Sequence, residues 1–211
     1  MENKLGLFGG RFDPIHRTHI SIAQAVLAQL SLNEIKWIPS GIPVQKKVFA
    51  SAKHRLKMIE LALDELSDKR MTIDDREIKG SKINKPSFSY KTIQSLKIEF
   101  PKTDFFWILG EDQLLNFRTW KNWKWLLENI KLVLCQRGYE NSQENISTVE
   151  SIKEKQILRI NGAKIIEINF IADSCSSTKI RKLIYSRKTV DEYISNSVKN
   201  YIIRNKLYQK E

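Results

Sequence analysis

Three stretches of this chain carry unusual chemistry. The first is Gly9-Gly10-Arg11-Phe12-Asp13-Pro14-Ile15-His16-Arg17-Thr18-His19. Two glycines let a backbone turn sharply and approach a ligand closely. Asp13-Pro14 fixes the loop, and His16 and His19 follow, three apart, near the start of a helical run. A helix start offers unpaired N–H groups and a positive partial charge, an anion site to which two imidazoles add further donors. A metal site built on the same histidines is poorly supported, because the only other histidine is His54 and no cysteine is near. The second stretch, Gly110-Glu111-Asp112, breaks a strongly apolar run and leads to Trp120. The third, Ser176-Ser177-Thr178-Lys179-Ile180-Arg181, opens a helix with hydroxyls and an arginine. Taken one at a time, each has an ordinary reading: Gly-Gly as a turn, Trp120 packed with Trp123, Arg181 as a solvated helix residue.

The elements that must position these residues follow from hydrophobic spacing. Lys4 to Phe8 reads as a short buried strand ended by the glycines, and Thr18 to Leu30 as a helix with Ile22, Ala23, Val26, Leu27 and Leu30 on one face. Glu34 to Pro39 is a second strand, and Ser51 caps a helix that turns Leu56, Ile59, Leu63 and Leu66 inward. Met71 to Ile78 reads as extended, Ser89 to Phe100 as helical, and Phe105 to Leu109 as a central strand. Trp120 to Asn129 reads as helix, Lys131 to Cys135 as strand, and 137–162 as a polar surface insertion. Ala163 to Ile168 is a last strand, followed by helices from Ser176 to about Tyr185 and around Val198 to Asn205. Strands alternating with helices imply parallel pairing through right-handed crossovers, hence an α/β fold with a doubly wound parallel sheet. Ligands of such sheets bind outside the carboxyl ends of the strands, which is the rim expected to carry 9–19, 110–120 and 173–181.

With 211 residues, 41% of them hydrophobic, the chain is long enough for a core without disulfides or metals, as one domain or two small ones. We expect one domain over 1–211, with a variable surface segment at about 138–162 and a helical C-terminal part at about 176–208. The formal charge of +12 favours an anionic partner: nucleic acid, an acidic membrane face or phosphorylated small molecules. The lysines are scattered, however, and neither an aromatic–basic RNA motif nor a zinc finger is present, which argues against nucleic acid. No apolar stretch approaches the ~18 residues of a membrane span, and the first residues lack the apolar core of a secretory signal. Cys135 and Cys175 lie outside any CxxC pattern, so a disulfide scaffold is not indicated. A cytoplasmic protein, monomer or homodimer, is the expectation.

The string from Gly9 to His19 as a whole resembles the GG-T-FDP-xH-xGH signature of the nucleotidyltransferase superfamily that includes bacterial nicotinate-nucleotide adenylyltransferase. The likeness extends over nearly the full chain. Pro86 to Thr92 (PSFSYKT) is similar to the family's PSY-T-xxT segment, and Trp107 to Trp120 (WILGEDQLLNFRTW) to its GxD and FxxW region. Ser176 to Arg181 is similar to its S-x-T-x-IR signature, and Tyr201 to Tyr208 (YIIRNKLY) to its C-terminal helix.

The resemblance implies a Rossmann-like nucleotidyltransferase fold. It also implies transfer of AMP from ATP to nicotinate mononucleotide, giving deamido-NAD and pyrophosphate in NAD biosynthesis. The acceptor's phosphate is itself the nucleophile, so the protein has to align two polyanions and neutralise charge at the α-phosphate. By the motif match His16 contacts the α-phosphate and His19 the neighbouring oxygens, while Arg181, with Ser176 and Thr178, holds the leaving β,γ-phosphates. Gly9, Gly10, Phe12, Lys46 and Asp112 complete the ATP site. Thr92, Trp120 and Arg137 face the acceptor, Trp120 by stacking on the pyridine ring. Mg²⁺ is expected to bridge the triphosphate rather than sit in a protein cage. The alternative acceptors are nicotinamide mononucleotide or another phosphorylated molecule such as phosphopantetheine. Four positions depart from the pattern: Arg11 replaces a threonine, Thr18 the glycine of HxGH, Val44-Gln45 a Pro-His pair, and Phe88 a tyrosine. These are either compensated changes in an active enzyme or marks of a weakened one.

Overall fold

A computed structural model describes residues 3–42, 48–80, 86–137, 145–172 and 175–209. Its strands are β1 (Asn3–Gly10), β2 (Glu34–Pro39), β3 (Met71–Ile73), β4 (Thr103–Gly110), β5 (Lys131–Arg137) and β6 (Lys164–Ala172). Its helices are α1 (Arg17–Gln29), α2 (Ala52–Leu66), α3 (Arg76–Gly80), α4 (Ser89–Glu99), α5 (Glu111–Leu115), α6 (Trp123–Asn129), α7 (Asn145–Ile160), α8 (Ser177–Tyr185) and α9 (Asn196–Arg204). The strands form a six-stranded sheet in the order β3-β2-β1-β4-β5-β6, with β1–β4, β4–β5 and β5–β6 pairing in parallel. This is the doubly wound order in which the strand sequence reverses between β1 and β4, the place where open α/β sheets take ligands. Phe8 lies opposite Ile108 there, just before the glycines that end each strand.

The chain resolves into two compact units. The first comprises 1–9, 22–35 and 88–174, and the second 10–21, 36–87 and 175–211. In the first unit Phe105 to Leu109 are all buried, as a strand covered on both faces requires, alongside Leu5, Leu7, Leu132 and Val133. In the second unit Trp37 and Ile38 of β2, Met58 and Ile59 of α2, Ile180 of α8, and Val198 and Ile202 of α9 are buried. Serine hydroxyls start three of its helices: Ser51, Ser176 and Ser195 accept the backbone N–H of His54, Lys179 and Val198 at 3.4, 3.2 and 3.4 Å.

Three expectations change. The extended reading of 71–78 stops at Ile73, because the Asp74 carboxylate accepts the Arg76 N–H (3.1 Å) and turns the chain into α3. Trp120 is not helical: a 3₁₀ turn over Phe117–Thr119 delivers it in an extended conformation, and α6 begins at Trp123. Within the expected surface insertion, Asn145–Ile160 is a helix of 16 residues. Its inner face is Ser151, Glu154 and Leu158, two of them polar, so apolar periodicity could not reveal it. Glu154 is buried because Arg118 grips it with Nε at 2.7 Å and Nη2 at 3.0 Å.

Candidate active site

Both glycines at the end of β1 remain in strand conformation, so they serve space rather than a sharp turn. A Cβ on Gly10 would stand 2.9 Å from the Phe12 ring, and one on Gly9 would stand 2.7 Å from the Trp107 ring. The turn is made further on: Phe12 takes a positive φ of 49°, and the Asp13-Pro14 peptide is cis. Phe12 is held in this conformation by burial, its ring packed edge-on to His19 (5.1 Å) and tilted against Trp37 (5.3 Å).

The two histidines lie against each other, with ring centroids 3.6 Å apart and 30° between planes. The His16 backbone N–H donates to His19 Nδ1 at 3.2 Å. A neutral imidazole that accepts at Nδ1 carries its proton on Nε2, which makes that atom of His19 the donor. His16 is buried. The Arg17 N–H at the start of α1 donates to the Tyr193 carbonyl (2.8 Å), tying this helix end to the segment between α8 and α9.

The turn is fastened by Asp13, which is 1% exposed. Its carboxylate accepts the backbone N–H groups of Phe49 (2.7 Å) and Ala50 (3.1 Å) and the Tyr208 hydroxyl (2.6 Å). Burial, with the Asp13 charge next to it, pushes the Tyr208 hydroxyl well above its ordinary range, so it stays protonated as a donor. Arg55, fully buried, donates to the carbonyls of Arg11 (2.7 Å), Ser40 (2.6 Å) and Gly41 (3.1 Å). Burial lowers its pKa, and the Asp13 charge opposes that shift.

The start of α8 closes on the same turn. Arg181 Nη1 donates to the Asp13 carbonyl at 2.6 Å, and the Ser177 hydroxyl donates to the Pro14 carbonyl at 2.9 Å. Arg181 Nη2 also meets Thr178 Oγ1 at 3.1 Å, and Cζ lies 4.2 Å from the centroid of the Phe49 ring. Burial lowers the Arg181 pKa, Asp13 raises it and the nearby Arg11 lowers it further, a like-charge crowding that a polyanion would relieve. Thus Gly10, Phe12, His16, His19, Ser176, Thr178 and Arg181 fall in one unit, and the histidine turn meets the helix start through direct hydrogen bonds. Thr18, where glycine was expected, is 4% exposed, and its buried hydroxyl has no hydrogen-bond partner among the described residues.

The remaining expected residues belong to the first unit. Thr92 is buried on the inner face of α4 beside Ile93 and Leu96. Asp112 is exposed on α5 and accepts from Gln113 Nε2 at 3.3 Å. Trp120 packs edge-on to Trp107 (6.0 Å) and against Phe117 (5.0 Å). Its indole Nε1 is buried without an acceptor among the described residues. Arg137 closes β5 opposite Ala172. Lys46 and Val44-Gln45 lie outside the described residues. The sequence reading passed over Arg55, Phe49, Ser177 and the role of Tyr208.

A doubly wound sheet with a histidine turn joined to a hydroxyl-and-arginine helix start defines a nucleotide-handling α/β protein. Residues 7–183 match the cytidylyltransferase-like family. A probable nicotinate-nucleotide adenylyltransferase of Psychromonas ingrahamii is 34% identical over 215 residues, covering 99% of this chain and 98% of that protein. One of Clostridium botulinum (strain Kyoto / Type A2) is 34% identical over 212 residues, covering 99% and 100%. Among solved structures, a Plasmodium falciparum nicotinic acid mononucleotide adenylyltransferase complexed with NaAD superposes with a TM-score of 0.77 at 20% identity, covering 98% and 97% of the chains. The chain belongs to the cytidylyltransferase-like family and, within it, to the nicotinate-nucleotide adenylyltransferases.

Proposed function

We propose that this chain transfers the AMP part of ATP to the phosphate of nicotinate mononucleotide, releasing pyrophosphate and forming deamido-NAD in NAD biosynthesis. The observation that carries this reading is the junction of Arg181 and Ser177 with the carbonyls of Asp13 and Pro14, which sets imidazole, hydroxyl and guanidinium donors around one turn. The full-length likeness to nicotinate-nucleotide adenylyltransferases supports the choice of acceptor.

The chemistry is a direct displacement. An acceptor phosphate oxygen forms a bond to the α-phosphorus, the bond from that phosphorus to the bridging oxygen breaks, and pyrophosphate carries the electron pair away. No proton has to be removed from the nucleophile, so the side chains act by position and charge. His16 meets the α-phosphate, and His19 holds neighbouring phosphate oxygens. Arg181, permanently charged and forked, holds the β,γ-phosphates with Ser176, Thr178 and the backbone at the start of α8. By the family resemblance Gly9, Gly10, Phe12, Lys46 and Asp112 are assigned to ATP, and Thr92, Trp120 and Arg137 to the acceptor.

The donors on the turn are imidazole, hydroxyl and guanidinium, and the Asp13 carboxylate is already taken by three donors. This set suits phosphate oxygens rather than a bare cation, and so fits Mg²⁺ carried on the triphosphate, where the ion neutralises phosphate charge. Among the described residues no group of three or more His, Cys, Asp or Glu could hold a metal ion. Among them, too, no helix is long and apolar enough to cross a membrane. The buried thiol of Cys135 fits a reducing cytoplasm.

The test is pyrophosphate release by purified protein with ATP, Mg²⁺ and either nicotinate or nicotinamide mononucleotide. Faster turnover with the nicotinate acceptor is expected; no turnover with either would end the reading.

A further inference from the structure

Phe49 is 62% exposed, so its ring adds little to any core. Single exposed apolar residues are common, but this one is held at two points. Its backbone N–H donates to Asp13 Oδ2 at 2.7 Å, and one face of its ring carries the Arg181 guanidinium, Cζ 4.2 Å from the centroid. The guanidinium returns to the Asp13 carbonyl at 2.6 Å. Asp13, Phe49 and Arg181 therefore close a triangle. The carboxylate sets the Phe49 backbone, the ring supports the guanidinium, and the guanidinium holds the turn that bears His16.

We propose that Phe49 is a positioning residue, whose ring holds Arg181 aimed at the turn before a phosphate ligand arrives. This rests on reading the site as a triphosphate grip. An arginine side chain has several rotatable bonds, and ordering them on binding costs affinity unless they are ordered beforehand. The ring supplies that order through a cation–π contact, which Arg favours because its planar head stacks on aromatic faces. Leucine at this position would keep the bulk and the backbone bond to Asp13 but lose the π face.

The experiment compares wild type, Phe49→Leu and Phe49→Tyr, with Mg²⁺-pyrophosphate binding measured by calorimetry alongside the kinetics. At an exposed site the contact corresponds to about 2–5-fold in affinity. Phe49→Leu is expected to weaken pyrophosphate binding and raise the KM for ATP by that factor. The KM for nicotinate mononucleotide and the melting temperature stay unchanged, and Phe49→Tyr restores wild-type values. In an Arg181→Gln background Phe49→Leu adds nothing. In NMR spectra of the free protein, the Arg181 side chain shows a ring-current shift that Phe49→Leu removes. The proposal is overturned by absence of that shift in the wild type, by unchanged pyrophosphate binding in Phe49→Leu, by wild-type protein that does not bind pyrophosphate, or by an equal loss in the Arg181→Gln background. If adenylyl transfer fails while pyrophosphate binding still falls in Phe49→Leu, the acceptor assignment fails and the positioning role stands.

Discussion

Tyr208→Phe isolates one bond in the fastening of the histidine turn. The Tyr208 hydroxyl donates at 2.6 Å to Oδ1 of Asp13, a carboxylate 1% exposed, so water has little access to replace it. Hydrogen bonds to charged groups contribute about 1.5–3 kcal/mol. The same oxygen keeps the Ala50 N–H at 3.1 Å, which places the loss at the lower end, about 1.5 kcal/mol. For a chain of this size that is roughly 3–6 °C in melting temperature. If all of it reached the transition state through Arg181 and His16, turnover would fall about tenfold, which sets the upper limit. The pH dependence gives a second readout. The folded protein holds the Tyr208 proton more tightly than the unfolded chain, whose tyrosine titrates near the ordinary value of 10.0. Stability from this group is therefore complete below that value and is lost as the pH rises beyond it, and Tyr208→Phe should flatten the alkaline loss. Tyr185→Phe, at a residue 54% exposed, is the silent control. Thermal melts from pH 7 to 11 and steady-state kinetics provide the assay. A variant with wild-type melting temperature, alkaline slope and turnover would refute the fastening role of Tyr208.

Other consequences can be checked separately. His16→Ala should lower turnover by ~10²–10³, the usual cost of one preorganised phosphate donor, and leave a folded protein by circular dichroism; full activity would remove His16 from the site. Cys135, whose thiol is pushed up to about 12 by burial, should resist thiol reagents at pH 8 until the protein is unfolded, as mass spectrometry of the labelled protein would report. Glu167 is held below its ordinary value of 4.5 first by the Lys155 hydrogen bond at 2.9 Å and then by Arg159 at 3.0 Å. Its stabilisation is present above that value and lost as the pH falls below it. Glu167→Gln should cost less than about 1 kcal/mol at neutral pH and make acid unfolding less steep, an effect visible in denaturant titrations at pH 7 and pH 4.

The sheet was legible where local pattern and long-range packing agree. The run Phe105 to Leu109 read as a central strand because both faces of such a parallel strand are apolar, and all five residues are buried. Ser51 announced α2 because an N-cap is a one-residue signal. Helix α7 escaped because its buried face is partly polar and depends on Arg118, which lies 36 positions from Glu154. The histidine turn and the helix start of α8 were each visible as strings, and their junction through Asp13 and Pro14 agrees with the expected convergence. The fastening beneath them was not visible. Asp13 read only as half of an Asp-Pro turn, while its partners Phe49 and Tyr208 stand 36 and 195 positions away, with no local signature linking them. The glycines were read as turn makers, yet they are small because aromatic rings pass over them.

The most direct test of adenylyl transfer without a protein intermediate is stereochemical. The protein would be turned over with a single diastereomer of the α-thio analogue of ATP and nicotinate mononucleotide, and the configuration at phosphorus in the product determined. One displacement by the acceptor's own phosphate inverts that centre. Retention would mean that the adenylyl group first rests on the protein, contradicting a site that works only by gripping and aligning two polyanions.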